Sequence, residues 1–453
     1  MTPVLDVDYL VVGAGATGLA FADSLVDHSD ATVAILDRAD APGGHWRQAY
    51  PFVRLHQSST FYGVASAVLG GGIQESGPEA GLHERATGPE VVAYFADVAR
   101  RLEATGRVTL LPRHEHLGDG LLRSLEDGAE SAARPGARIV DAHFLSPTIP
   151  ATTPPPFAVE DGARVIPVGE LPDAGEASAY AIVGSGKTAT DAIVWLLTHG
   201  VDPGAIRWIR PRDPWMLDRA MVQPDAASFT ELVARTWEAA AAATSLEDLF
   251  LRLEDAGVML RIDRATTPTM AKTPTLGRWE LDLLREVEDV VRLGHLRAAG
   301  ARTLTLDRGE VTLAPDTLIV HCAADGLPHP DRAPVWDWDT ITLQPIRAGF
   351  PCFGAALAGY VEATRDDDAV KNALCPPNSF GNSLRDWAVM TRRGALASAR
   401  FLAEPDIRAW ADGVALNPAR IPPGYASAGL DDARERIART SPAALDALAR
   451  LAA

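Results

Sequence analysis

Cysteine is scarce. Cys322, Cys352 and Cys375 are the only three in 453 residues, and their spacing offers neither a C-x-x-C redox pair nor a zinc site. No metal is expected, and an odd, low count fits a reducing compartment, so a cytoplasmic location is expected. Lysine is as rare: only Lys187, Lys272 and Lys371 occur, so nearly all positive charge is arginine. With the abundance of alanine, this reads as a high-GC bacterial coding bias. The start, MTPVLDVDYLVVGAG, lacks the basic segment of a signal peptide. No apolar run approaches the ~18–20 residues of a membrane span. A net charge of −18 argues against nucleic acid or an anionic membrane as the main partner. The hydrophobic fraction of 47% and charged fraction of 23% are ordinary for a globular protein, and the length allows two or three domains.

The first segment reads strand, glycine turn, helix, strand. DYLVVGAGATGLAFADSL carries Gly13, Gly15 and Gly18 in a G-x-G-x-x-G, and Asp37 ends TVAILD 24 residues after Gly13. The strand before, the helix after and the distal acid together make this a strong dinucleotide-binding signal. Gly13 permits the tight turn, Gly15 lets backbone approach a pyrophosphate, and Gly18 lets helix and strand pack closely. The helix N-terminus adds N–H donors and the positive end of its dipole. Asp37 can accept ribose hydroxyls and would repel a 2′-phosphate. Arg38 beside it joins the cofactor-contacting candidates.

VGSGKTATD contains Gly-Lys-Thr, the ending of an NTPase phosphate loop. That loop needs a Gly five positions before Gly186, where Ala181 stands inside the strand-like AYAIV, so the NTPase reading fails on spacing. Read from Gly184, the stretch is G-x-G-x-x-A: Gly184, Gly186, Ala189. Lys187 and Thr188, inside the turn, are expected at a phosphate. The following strand, IRWIRPRD, ends in Arg210 and Arg212, with Arg210 26 residues after Gly184. Guanidinium groups there would clamp the 2′-phosphate of NADP, while Asp213 could blur the preference. One acid-tipped and one arginine-tipped unit imply two dinucleotides, FAD on the first and NADPH on the second. The expected fold is α/β: two Rossmann-like dinucleotide-binding domains, the FAD domain (1–160 and 320–453) interrupted by an NAD(P)H domain (161–319). Within the latter, residues about 214–300 read as a helical insertion, from apolar spacing of three and four. Such an insertion packs on the NADP domain or covers the substrate. The proline-rich stretch 141–157 reads as the crossover, and DTLIVHCAADGLPHP as the return.

Both fingerprints in this order, with Gly43-Gly44-His45-Trp46 and AYP between them, resemble the class B flavin-dependent monooxygenases, over about residues 5–390. The resemblance implies that Gly43, Gly44 and Trp46 contact FAD. It places Arg54, His56 and Gln57 of FVRLHQSSTFYG near the isoalloxazine, and Asp325 at the return crossing. It also implies hydride transfer from NADPH to FAD, a flavin C4a-hydroperoxide formed with O₂, and oxygenation of a small molecule at N, S or electron-rich C. The Baeyer–Villiger signature F-x-G-x-x-x-H-x-x-x-W is absent, and the usual Ala-Thr-Gly-Tyr crossing is replaced by FLSPTIP and CAADGLP. This is therefore a divergent branch. Lys272, in TTPTMAKTPTLGRW, would suit a single-component halogenase on the same scaffold, where an ammonium relays hypohalous acid. An exposed lysine is its ordinary reading. His56 is a candidate acid, base or flavin partner. An NADPH oxidase or flavin reductase, and a non-enzymatic redox-sensing flavoprotein, are the further alternatives. A homodimer is compatible with the sequence, and no nucleic acid or membrane partner is expected.

Overall fold

The computed structural model describes residues 3–175 and 177–453. Its first large sheet has six strands in the order Trp336–Asp337, Thr340–Thr342, Arg138–Asp141, Tyr9–Val12, Val33–Asp37 and Val108–Pro112. All pair in parallel except the outermost hairpin, Trp336–Asp337 with Thr340–Thr342. The central strands are continuous apolar runs because both faces are covered. Val11, Val33 and Ile35 pack with Leu19 and Phe21 of helix Ala16–His28 and with Phe353 and Leu357 of helix Pro351–Thr364. Leu10, Val12, Ala34 and Leu36 face the other way, onto Leu122 of a small sheet formed mainly by residues 114–133. At about 25 cal/mol per Å² of apolar surface, this double-sided burial dominates the stability of the unit.

The second large sheet repeats the plan with five parallel strands: Val165–Pro167, Thr317–His321, Ala179–Val183, Ile206–Ile209 and Val290–Val291. Ile182, Trp208 and Val320 pack on Ala189, Ile193 and Leu196 of helix Lys187–Thr198. Ala181, Val183, Ile209 and Ile319 bury against Leu296, Leu304 and Leu306 of an antiparallel meander. Helix Lys187–Thr198 stops at His199, and Gly200 follows with φ +86.

Segment 214–300 is less helical than its spacing suggests. It holds helices Ala226–Ala242, Leu246–Asp255 and Arg278–Leu284, the first two started by the side-chain caps Asp225 and Ser245. It also holds strand Trp215–Asp218 with its partners Met259–Arg261 and Thr275–Leu276. Within it the stretch GRWELDLLREVEDVVRLGHL, helical in pattern, leaves the helix after Leu284, and Val290–Val291 completes the second sheet. Two adjacent β-branched residues beside the strand Ile206–Ile209 gain more as an edge strand than as a further helical turn. Helix Ala226–Ala242 packs chiefly on the C-terminal helix Ala428–Leu451, where Arg436 spans Glu231 and Glu238.

Candidate functional site: two glycine turns and the junction between them

Strand Tyr9–Val12 ends in Gly13, which has φ +117; a side chain there would meet the His143 ring at 2.9 Å. A Cβ at Gly18 would lie 2.0 Å from the Gly13 carbonyl oxygen, so this turn admits only glycine. Gly43 donates its N–H to the Ala14 carbonyl at 3.0 Å. Gly44 is so close that a Cβ on it would come within 3.2 Å of the Gly15 Cα. The two glycine-rich segments thus form one backbone cradle at the N-terminus of helix Ala16–His28. Asp37 accepts from Ala14 N–H and Ala39 N–H, both at 2.8 Å, one bond on each carboxylate oxygen. It borders a cavity of ≈ 350 Å³ lined also by Ala14, Pro42, Leu110 and Pro112. Arg38 points away, into solvent, 3.8 Å from Glu115.

Beyond the cradle, Trp46 donates from Nε1 to the Tyr62 hydroxyl at 2.6 Å. Burial holds His45, next to it, down to about 4. Arg54 lies at the surface and donates to the Arg85 carbonyl at 3.1 Å, while Gln57 is half-buried. Ser58 Oγ and Thr60 Oγ1 are buried without a partner among the described residues. His56 is better placed. Its Nδ1 accepts the Thr275 N–H at 3.3 Å, which assigns the ring proton to Nε2. Burial first, then the nearby Lys187 and Arg85, hold its pKa down at about 4.

The second turn has the same backbone plan. Gly184 has φ +142, and its carbonyl accepts from Trp208 Nε1 at 2.7 Å. Gly186 starts helix Lys187–Thr198, with Thr188 half-buried in its first turn, Ala189 fully buried and Ser185 Oγ buried without a partner. Its charges are not where the motif suggests. Lys187 does not reach into a phosphate cradle: its ammonium lies 2.5 Å from Asp191 and 3.2 Å from Glu280. Burial alone would lower its pKa, but those two carboxylates raise it. Arg210 is 1% exposed; it pairs with Asp213 at 2.8 Å and lies over the Trp208 ring at 4.5 Å. Its Nε and Nη1 have no hydrogen-bond partner among the described residues. Arg292 shares Asp213, at 2.9 Å. Arg212 is the exposed member of the pair. Lys272, also exposed, donates to the Asp325 carbonyl at 2.6 Å, so these two candidates meet at the return crossing, where Thr148 N–H also bonds Gly326 O at 3.0 Å. Desolvation lowers the Lys272 pKa, partly offset by Asp325.

The junction holds residues that motif reading missed. From Lys187 the ionic chain runs to Glu280, then Arg85 at 3.2 Å, Glu79 at 2.8 Å and Arg219 at 3.4 Å. Three acids and three bases alternate, each largely buried, and Tyr50 caps the chain by donating to Asp191 at 2.7 Å. Lys187 and Arg85 overcome the effect of burial and hold Glu280 down to about 2. The i, i+4 spacing of Lys187 and Asp191 is the one part that a sequence could have signalled. The rest joins residues up to 195 positions apart.

Two parallel sheets, each opening at its carboxyl edge into a glycine turn and together sharing a buried junction, define an α/β fold with two dinucleotide-binding domains. The NAD(P)-binding Rossmann-like domain family matches residues 11–59. A solved steroid monooxygenase, in its oxidized form bound to NADP, superposes with a TM-score of 0.50 at 16% identity, covering 98% of this chain and 99% of that one. The chain belongs to the same family as the mycobacterial proteins Rv2000 of Mycobacterium tuberculosis and Mb2023 of Mycobacterium bovis, both entitled uncharacterized. Each is 43% identical over 418 residues, covering 91% of this chain and 78% of the relative. Among the described residues, no helix is long and apolar enough to cross a membrane.

Proposed function

We propose that the protein is an FAD-dependent, NADPH-reduced monooxygenase acting on a small molecule, with residues 1–160 and 320–453 holding FAD and 161–319 holding NADPH. The observation that carries this is the pairing of two glycine turns at the carboxyl ends of two parallel sheets, the place where such sheets bind dinucleotides. The residues fit the first cofactor. Gly13, Gly15, Gly18, Gly43 and Gly44 leave backbone bare for a pyrophosphate, and Asp37 fronts a cavity sized for adenosine. The unpartnered Ser58 and Thr60 hydroxyls, close in sequence to Trp46 and His56, are free to bond a polar ring edge. They also fit the second. A Cβ on Gly186 would meet nothing within 4 Å, and Ser185 Oγ lacks a partner among the described residues.

Bound FAD would accept a hydride from NADPH and activate O₂ for transfer to the substrate. The chain's own contribution is placement. Arg212, exposed beside the turn, meets the 2′-phosphate, with Arg210 as the buried charge behind it. His56 stays neutral at physiological pH and offers an Nε2–H donor, which suits hydrogen bonding rather than delivery of a proton from an imidazolium. Arg85 ties the two units together through Glu280, and Tyr50 through Asp191, while Lys187 neutralises both acids.

Anaerobic reduction tests the reading. NADPH should bleach the flavin absorbance faster than NADH, and oxygen admitted with a substrate should be consumed with less than one equivalent of H₂O₂. Stoichiometric H₂O₂ under every condition would make the protein an oxidase, and no bleaching by either nucleotide would remove the reading altogether.

A further inference from the structure

This inference rests on the proposed function and concerns its substrate. Strand Tyr9–Val12 has Asp37 and its cavity on one side, and strands Arg138–Asp141 and Thr340–Thr342 on the other. A dinucleotide with its adenosine beside Asp37 crosses the glycine turn toward the ends of those two strands. The chain leaving Thr342 there runs through residues 343–350 into helix Pro351–Thr364.

Arg347 lies in that connection. Nη1 donates to Asn417 Oδ1 at 2.9 Å, and the guanidinium carbon sits 5.5 Å from the Phe229 ring, 5.9 Å from Phe350 and 6.0 Å from Phe353. Among the described residues no carboxylate pairs with it, and burial alone lowers its pKa to about 10. The deeply buried Arg85 and Arg219, by contrast, each face carboxylates. Arg347 is half-buried, and desolvating even part of a cation without an acid is costly, so the absence of one needs a reason. Phe350 is held at φ 55 and ψ 62, a conformation unfavourable for a bulky residue, with its ring packed on Phe61 and Phe229. Helix Leu384–Phe401 presses Gly394 against Ala348 and carries Arg392 and Arg393. Burial, then repulsion from Arg332 and Arg392, lowers the Arg393 pKa.

We propose that Arg347 is an anion subsite of the substrate chamber, receiving the carboxylate of a small molecule whose apolar body packs on Phe350, which the buried rings of Phe61 and Phe229 back. Asn417 engages only one of the five guanidinium donors, leaving a planar edge for a bidentate carboxylate. The rings fix the plane of the guanidinium without neutralising it.

The test is a titration of the FAD-loaded protein with benzoate and with its neutral twin benzamide, read from the flavin absorbance under nitrogen. Benzoate should perturb the spectrum saturably, and benzamide should bind at least about tenfold more weakly. Arg347→Met should weaken benzoate about 30-fold and benzamide little, with Arg347→Lys between. Phe229→Ala should weaken both ligands alike. Equal binding of the two ligands to the wild type, no response to benzoate, or unchanged benzoate binding by Arg347→Met would each overturn the subsite. If Arg347→Met cannot hold FAD, discrimination by the wild type and the Phe229→Ala result decide. NADPH bleaching is recorded first on the same preparation. Failure there sinks the proposed function, whereas bleaching without discrimination sinks only the subsite.

Discussion

The two glycine turns share a backbone plan and differ in what their charged residues do. At the first, the acid named by the motif stands at the mouth of a cavity, its carboxylate fixed by the turn's own Ala14 N–H. At the second, Lys187 belongs to a buried ionic chain, and Arg210 is shared between Asp213 and an indole. The glycine positions of a fingerprint are dictated by sterics within a few residues. The charges around it answer to whatever the tertiary fold brings near, and here that includes Glu280, 93 positions away. The turns also differ in tightness: Gly18 admits no Cβ, whereas Ala189 fills the equivalent place of the second turn and is fully buried.

The largest effect should come from breaking the ionic chain. Glu280→Gln leaves Lys187 and Arg85 buried short of a carboxylate and should cost about 3–5 kcal/mol in urea unfolding. Lys187→Met sharpens the contrast. A residue of the junction loses stability on removal with little change in NADPH affinity; a phosphate ligand would do the reverse. Next is Gly18→Ala, which drives a methyl into the Gly13 carbonyl and should cost about 2–3 kcal/mol together with most bound FAD. Ala189→Gly, its counterpart at the second turn, should cost only about 1 kcal/mol. Equal losses at the two positions would erase the difference in tightness.

Arg212→Ala should raise the KM for NADPH about tenfold, equivalent to about 1.4 kcal/mol, and leave that for NADH unchanged. Arg210→Ala should instead lower stability, since it empties the space between Trp208 and Asp213. A similar loss of NADPH preference in both would mean that Arg210 also reaches the cofactor.

The pH dependence follows from His45 and His56. Both have folded pKa values held down to about 4 by burial, against an ordinary value near 6.5. Between these values the unfolded chain binds more protons than the native one. Their contribution is therefore fully present above about pH 6.5 and is lost as pH falls toward 4. His56→Gln should flatten the slope of stability against pH in that window, and an unchanged slope would place the ring in a more polar setting.

Much of the frame was legible from residues close in sequence. Both turns and their flanking strands and helices follow from apolar runs and glycines. The strand Val290–Val291 was not, because two valines after a helical pattern become an edge strand only when Ile206–Ile209 lies alongside. The partners of Lys187 and the isolation of Arg347 were illegible for the same reason. An ion pair or its absence is a property of three-dimensional neighbours, and an arginine-rich sequence says nothing about which acid each arginine meets.

The smallest change in stability is expected at Gly186, and it bears most directly on the second turn. Its φ of −85 and ψ of −174 are open to any residue, and a Cβ there meets nothing within 4 Å. Gly186→Ala should therefore shift stability by about 0.5 kcal/mol or less, the difference between glycine and alanine at a helix N-cap. That open volume lies beside the first N–H groups of helix Lys187–Thr198, where a pyrophosphate must approach the backbone. If NADPH binds there, the added methyl displaces it, and affinity should fall at least about tenfold while the melting temperature stays put. Unchanged affinity would mean that the space is empty for another reason, and that the second turn has kept the shape of a dinucleotide site without its use.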